Sequence, residues 1–78
     1  MKNVSRNYYH RTLRFEVREV GTFNLICVAE NPKNARREAE AANGYIMIID
    51  NDSKYRTAMI INNGIVETIS KNFADETK

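Results

Sequence analysis

Residues 31–49, NPKNARREAEAANGYIMII, decide the fold, because they contain a helix, both of its ends and a buried strand. Asn31-Pro32 favours a helix start, since Asn can cap the first turn and Pro suits the first helical position. Asn43-Gly44 tolerates the left-handed turn that ends helices. Spacings of four and three residues place three alanines on one helix face: Ala35, Ala39 and Ala42. We therefore predict a helix from Pro32 to Ala42 that lies close against a sheet.

Two strands are predicted before this helix. Residues 11–20 alternate apolar and charged side chains, which is typical of a strand with one face buried. Gly21-Thr22 interrupts the pattern, and residues 23–29 then continue with β-branched and aromatic side chains. The simplest interpretation is a tight antiparallel hairpin.

Three further strands are predicted after the helix. Tyr45 to Ile49 is apolar without alternation, as in a central strand that is covered on both faces. Tyr55 to Ile61 and Ile65 to Ser70 flank Asn62-Asn63-Gly64, which favours a hairpin turn. The order ββαβββ predicts an α+β domain of two layers, with a single antiparallel-rich sheet and one helix.

The chain is expected to form one domain with two short ends. We predict a basic lead-in over residues 1–10, a single α+β domain over residues 11–70 and a C-terminal tail over residues 71–78. The tail is expected to fray, because no periodic apolar pattern follows Phe73.

Apolar residues are expected on both faces of the sheet, although the helix covers only one. One face is predicted to carry Leu13, Phe15, Leu25, Tyr45, Met47 and Ile49, and the other Ile26, Val28, Ile46, Ile48, Ile60 and Val66. Four explanations stay open for the second face: curling of the sheet, covering by the N-terminal segment with Tyr8 and Tyr9, a homodimer, and a partner protein.

Composition excludes several classes of protein. The 78 residues are 42% apolar and 28% charged, which fits one small globular domain rather than a disordered chain. The longest apolar run, Tyr45 to Ile49, is too short to cross a bilayer, and the first residues are polar. A soluble, cytoplasmic protein without a membrane partner is therefore expected.

The sequence predicts a protein that is not an enzyme. The single cysteine, Cys27, falls in an apolar strand, where burial makes a thiol inert, and His10 falls in the basic lead-in without a recognisable partner. Asp50 and Asp52 are explained by a turn, and no glycine-rich phosphate loop is present in the sequence. One His and one Cys cannot form a metal site from soft ligands, so no metal or cofactor is expected.

Cationic side chains are the main candidates for function. The net charge is only +2, but the residues before position 19 are strongly basic. We predict contacts with an anionic partner protein or nucleoprotein complex through Arg14, Arg18, Lys33, Arg36, Arg37 and Arg56. The alternative is direct nucleic-acid binding through Lys2, Arg6, Tyr8, Tyr9 and Arg11. An ordinary solvated surface, neutralised by neighbouring glutamates, is the third interpretation.

The layout of residues 13–70 carries a family resemblance. The first strand ends in Arg18-Glu19-Val20, the helix contains Ala35-Arg36-Arg37-Glu38-Ala39, and a Gly-led apolar strand begins at Gly44. In this layout the chain resembles a small phage-encoded anti-CRISPR family of the type I-F series, the family numbered nine. Members of that family bind the crRNA-guided surveillance complex along its backbone subunits and obstruct target DNA. The resemblance implies contacts by Arg36 and Arg37, and to a lesser extent by Arg56.

The sequence therefore leads to one function hypothesis with two alternatives. The hypothesis is a non-enzymatic, phage-encoded inhibitor that docks on a host nucleoprotein complex, such as a CRISPR surveillance complex, and blocks access of nucleic acid. The alternatives are a small nucleic-acid-binding module that uses the basic N-terminus, and a structural homodimer.

Overall fold

The computed structural model describes residues 13–53 and 56–78, with the side chain of Arg56 excepted. The predicted α+β class and the order ββαβββ are confirmed, and a second, short helix follows the last strand. A single 3₁₀ turn, Asn51–Ser53, follows the third strand. The elements are β1 Phe15–Glu19, β2 Leu25–Ala29, α1 Pro32–Ala41, β3 Tyr45–Asp50, β4 Arg56–Asn62, β5 Ile65–Ile69 and α2 Lys71–Glu76.

The five strands form one sheet in the order β2-β1-β3-β4-β5, and all neighbours are antiparallel. Helix α1 connects β2 to β3, and these two strands lie on opposite sides of β1 in the sheet. The predicted turn between β4 and β5 has positive φ at both Asn63 (51°) and Gly64 (86°). Two left-handed residues match the twist of a tight hairpin, which explains the Asn-Gly sequence.

The turn between β1 and β2 differs from the prediction. The left-handed residue is Phe23, with φ of 63°, and the backbone of Gly21 does not have a positive φ. The Phe23 amide donates to the Glu19 carbonyl at 2.8 Å, and the ring lies exposed beneath the Arg18 guanidinium. Strand β2 consequently begins at Leu25 rather than at Phe23.

Both helices cover the same face of the sheet and enclose the core. The buried apolar residues are Phe15, Val17, Ala29, Ala35, Ala39, Ile46, Ile48, Ala58, Met59, Ile61 and Phe73. Two small residues of α1, Ala35 and Ala39, face the strands. Their small side chains let the helix approach closely, so the larger strand residues supply most of the buried apolar area.

The predicted division of apolar residues between the two faces was wrong. Val17 lies opposite Ile48 in the β1–β3 register, so Phe15 and Val17 share the helix-covered face with Ile46 and Ile48. The predicted set that contains Phe15 also contains Tyr45, Met47 and Ile49, which lie on the other face. Alternation within one strand shows which of its own residues share a face of the sheet. A change of one residue in the pairing register between two strands moves all side chains of one strand to the opposite face.

The face of the sheet opposite the helices is partly apolar. Val28, Met47, Ile49 and Ile60 are half-buried there, while Ile26 and Tyr45 are exposed. Bulges or register shifts interrupt three of the four strand pairs, and such irregularities increase the local twist that curling requires. Covering by Tyr8 and Tyr9 concerns residues outside the described part of the chain.

The end of the chain is helical, although residues 71–78 were expected to fray. The Ser70 hydroxyl caps α2 by accepting from the Phe73 amide at 3.2 Å. The Phe73 ring is only 2% exposed and meets the Phe15 ring edge-on, with centroids 5.5 Å apart. One capping residue and one buried ring thus hold a six-residue helix for which the sequence has no periodic signal. Neither of the helices in residues 13–53 and 56–78 is long and apolar enough to cross a membrane.

Candidate functional site

Helix α1 directs one row of side chains toward solvent because its opposite row is buried. Asn31 caps the helix by accepting from the amides of Lys33 (2.8 Å) and Asn34 (3.2 Å), and Pro32 occupies the first turn. Burial of Ala35 and Ala39 then fixes the rotation of the helix about its axis. Positions 36 and 37 come three and four residues after position 33, so the Lys33 side chain has both arginines as neighbours on the outer surface.

These cations line a shallow surface depression between α1 and the end of α2, which we call the cationic groove. Its lining residues are Lys33, Arg36, Arg37, Glu40, Thr77 and Lys78. The groove therefore holds four cationic side chains and one carboxylate side chain. Thr77 and Lys78 were not predicted as site residues, because residues 71–78 were assigned to a tail. Ser70 and Phe73 were the only sequence signals that could have placed them.

The Arg36 side chain is held in a defined orientation. Its Nε donates to Glu40 at 3.1 Å, and its Nη1 donates to the Thr77 hydroxyl oxygen at 3.0 Å. That hydroxyl in turn donates to the Phe73 carbonyl at 3.0 Å. Arg36 is thus tied to both helices, while the remaining guanidinium donors are available to a ligand.

The other cations of the groove are less constrained. Arg37 donates a hydrogen bond to the Asn34 side chain. The Lys78 Nζ lies 3.8 Å from the Asp75 Oδ1. Both side chains are well exposed, so this ion pair is weak. Within residues 13–53 and 56–78, no carboxylate lies within salt-bridge distance of Lys33 or Arg37. Two full positive charges at the groove are therefore not neutralised by the described residues.

Arg14 lies outside this groove and binds other parts of the fold. Its Nε and Nη2 donate to the two Asp50 oxygens at 2.9 and 2.8 Å, and Nη1 donates to Glu76 at 3.3 Å. Asp50 is 7% exposed. The hydrogen bonds from Arg14 hold the pKa of Asp50 below its ordinary value, and the bonds to Asp50 and Glu76 raise the pKa of Arg14. Arg14, which directly precedes β1, therefore joins the start of that strand to β3 and α2.

Arg18 also lies apart from the cationic groove, on the sheet face that α1 leaves uncovered. Its Nε donates to Glu16 at 2.7 Å and its Nη1 donates to the Phe23 carbonyl at 2.8 Å. The guanidinium stacks on the Phe23 ring, 4.5 Å from the centroid. These contacts hold the turn that follows β1.

Of the six residues predicted to contact a partner protein, the structure brings three together: Lys33, Arg36 and Arg37. Arg14 and Arg18 lie at two other places, and the side chain of Arg56 lies outside the described part of the chain. Lys2, Arg6, Tyr8, Tyr9 and Arg11, predicted for the nucleic-acid alternative, also lie outside the described residues.

The side chains with catalytic or metal-binding chemistry are scattered in the described residues. Cys27 is half-buried, and burial together with the negative charge of Glu38 raises the pKa of its thiol, so the thiol stays protonated at neutral pH. Tyr45 donates to Glu67 at 3.0 Å, which raises the pKa of the phenol. No group of three His, Cys, Asp or Glu residues within 13–53 and 56–78 could hold a metal ion.

Comparisons of the chain with protein-family models, curated proteins and solved structures found no match.

Proposed function

We propose that the chain is a non-enzymatic binding protein that docks through the cationic groove on an anionic surface of a larger nucleoprotein complex and blocks access of nucleic acid. The supporting observation is the convergence of Lys33, Arg36 and Arg37 with Lys78 around a single carboxylate side chain. A phage-encoded inhibitor of a CRISPR surveillance complex, acting in the host cytoplasm, is the form of this function that the family resemblance implies.

The chemistry of the groove favours carboxylate or phosphate ligands. A guanidinium presents planar pairs of N–H donors that match both anions, and bonds to a charged acceptor are stronger than neutral ones. Arg36 is already oriented by Glu40 and Thr77, so less side-chain freedom is lost when it binds. Lys33 and Arg37 have no carboxylate partner within salt-bridge distance among the described residues, so an incoming anion does not have to displace one.

The test is binding to a type I-F surveillance complex with charge-reversal variants. Arg36→Glu/Arg37→Glu is expected to weaken binding by roughly tenfold or more for each cation, since a charge-assisted hydrogen bond contributes about 1.5–3 kcal/mol. Lys33→Glu and Lys71→Glu form a matched pair, because each reverses one exposed lysine. Lys33 lies in the groove, whereas Lys71 begins α2 and does not line it. Only Lys33→Glu should weaken binding. Equal effects of the two single variants would contradict a localised site.

Direct binding of naked nucleic acid is the second function to be separated. Four cations around one groove also suit a phosphate backbone, and neutralising several phosphates makes affinity fall steeply with rising salt. Filter binding of single-stranded RNA and duplex DNA over a salt series measures this dependence of affinity on salt concentration. Naked nucleic acid that binds as tightly as the complex would replace the inhibitor proposal by the nucleic-acid one.

A further inference from the structure

Strand β2 is an edge strand among the described residues, because its one hydrogen-bonded neighbour there is β1. Phe15 lies opposite Ala29, and Val17 lies opposite Cys27. On the other side of β1, the Asn51 amide donates to the Arg14 carbonyl and the Val20 amide to the Tyr45 carbonyl, so even-numbered residues of β1 bond to β3. The odd-numbered residues, Phe15 and Val17, consequently bond to Ala29 and Cys27 of β2. The backbone N–H and C=O of Val28, between these two, point to the free edge.

This edge opens into a groove beside α1, which we call the edge groove. One wall is formed by the end of β2 from Cys27 to Ala29 and by Glu30, which follows it, and the other wall includes Asn34, Arg37 and Glu38. The strand itself, LICVA, has no charged residue that would discourage pairing with another strand. A register shift beside Ile26 limits the regular part of the edge to the residues that follow it.

We propose that the edge groove is the interface of a homodimer, in which two copies of β2 pair antiparallel about Val28 and extend the sheet across a two-fold axis. Each Val28 amide then donates to the Val28 carbonyl of the other copy. Cys27 of one copy lies beside Ala29 of the other, so small side chains meet on the helix side of the sheet. The edge groove shares Arg37 with the cationic groove, whereas Lys33, Arg36 and Lys78 line only the cationic groove.

The geometry of the fold leaves room for this pairing. A two-fold axis at an antiparallel strand pair is perpendicular to the sheet, so both α1 helices lie on the same face. Helix α1 packs across β2, β1 and β3, and β1 is the middle strand of these three. The two β1 strands would be three strand spacings apart, or about 14 Å. A helix with its side chains is about 10–12 Å wide, so the helices fit side by side with polar side chains between them.

Charge complementarity favours a second copy as the occupant. The walls of the edge groove carry both signs: Arg37 and Glu38 lie on the α1 wall, and Glu30 lies on the β2 wall. A two-fold axis brings both walls of one copy next to both walls of the other, so the cation of each copy lies near the glutamates of its partner. An isologous interface of this kind is self-complementary, because every contact occurs twice.

The experiment uses opposite charges at the two-fold axis. Val28→Lys places two lysines directly opposite each other, and Val28→Glu places two glutamates there, so each variant alone should be monomeric. An equimolar mixture of the two variants should recover the dimer, because lysine then faces glutamate. Wild type should have twice the chain mass of 9.0 kDa by light scattering at micromolar concentration. Circular dichroism confirms that each variant is folded, and Ile65→Lys on β5, the opposite edge strand, is the matched control that should leave the dimer intact.

Amide hydrogen exchange then locates the interface. The backbone amide at position 28 should be protected from exchange in wild type. The same backbone amide should exchange faster in Val28→Lys, where the dimer is lost. A monomeric wild type overturns the proposal, and a protected Val28 amide in that monomer would show that the same chain covers the edge. A dimer that survives in both single variants, or that Ile65→Lys abolishes, overturns it equally.

Discussion

Phe73→Ala tests whether a single ring attaches the C-terminal helix to the domain. Phe73 is the buried residue of α2, and its ring packs against Phe15 of β1 at 5.5 Å between centroids. The helix is six residues long, far below the length at which an isolated helix is stable in water. Without the ring, we expect α2 to detach, which also removes the Arg14–Glu76 and Arg36–Thr77 hydrogen bonds.

The loss of stability should be a large part of the total. Truncation of a fully buried Phe to Ala costs about 3–5 kcal/mol, because the apolar contacts of the ring with the core are lost. A chain of 78 residues has a free energy of unfolding of roughly 4–12 kcal/mol at 0.05–0.15 kcal/mol per residue. With a urea slope of about 1 kcal/mol/M for a domain of this size, the unfolding midpoint should fall by about 3 M or more.

The assay is urea unfolding followed by circular dichroism, with Phe23→Ala as the matched control. Phe23 is also a phenylalanine near β1, but its ring is 51% exposed. Its removal should cost less than about 1 kcal/mol, the usual range for an exposed cation–π contact. A midpoint for Phe73→Ala as high as that for Phe23→Ala would refute the assignment of the ring to the core. A slope that falls in Phe73→Ala would show that α2 is already detached in the folded state.

Two further predictions concern charge and backbone conformation. Because Arg14 lowers the pKa of Asp50, this pair stabilises the fold above the ordinary carboxyl pKa, and its contribution is lost as the pH falls through the lower, folded-state pKa. Urea midpoints should therefore decrease between about pH 5 and pH 2, and Asp50→Asn should flatten that decrease while lowering the stability at neutral pH. Gly64→Ala forces a side chain into a left-handed turn position at φ 86° and should cost about 1–2 kcal/mol. Gly21→Ala is the control, because the added methyl meets open space and φ is not positive there, so its thermal unfolding midpoint should stay close to that of wild type. Equal midpoints for Gly21→Ala and Gly64→Ala would contradict the left-handed geometry at Gly64.

Local sequence signals predicted the helix, the strands and the turns. The register between strands and the packing of α2 on the sheet could not be predicted in the same way. Asn31-Pro32 and Asn43-Gly44 bound α1 to within a residue, and Asn63-Gly64 forms the predicted turn. The register of β1 against β3 depends on pairing between distant segments, so Phe15 was placed on the wrong face. Helix α2 rests on Phe73, a single long-range contact that no local periodicity records.

The candidate site was predictable to the same extent. Lys33, Arg36 and Arg37 share one side of a helix by spacing alone, so the sequence could bring them together. The contribution of Thr77 and Lys78 depends on the packing of α2 against the sheet, which the sequence does not display. The alternation of β1 correctly directed Arg18 away from the core, but it could not reveal that Glu16 and the Phe23 carbonyl would bind its guanidinium.

The described cations therefore divide into two groups with different consequences when they are changed. Arg14 binds a nearly buried carboxylate, and removal of one partner from such a pair leaves an uncompensated charge that destabilises the fold. Lys33 and Arg37 are exposed and not paired with carboxylates in the described chain, so their replacement should leave stability almost unchanged. Weaker binding after replacement of Arg14 would report on folding, whereas weaker binding after replacement of Lys33 or Arg37 would report on contact. Binding data on this protein become interpretable as a map of its surface only when each variant's unfolding midpoint is measured beside its affinity.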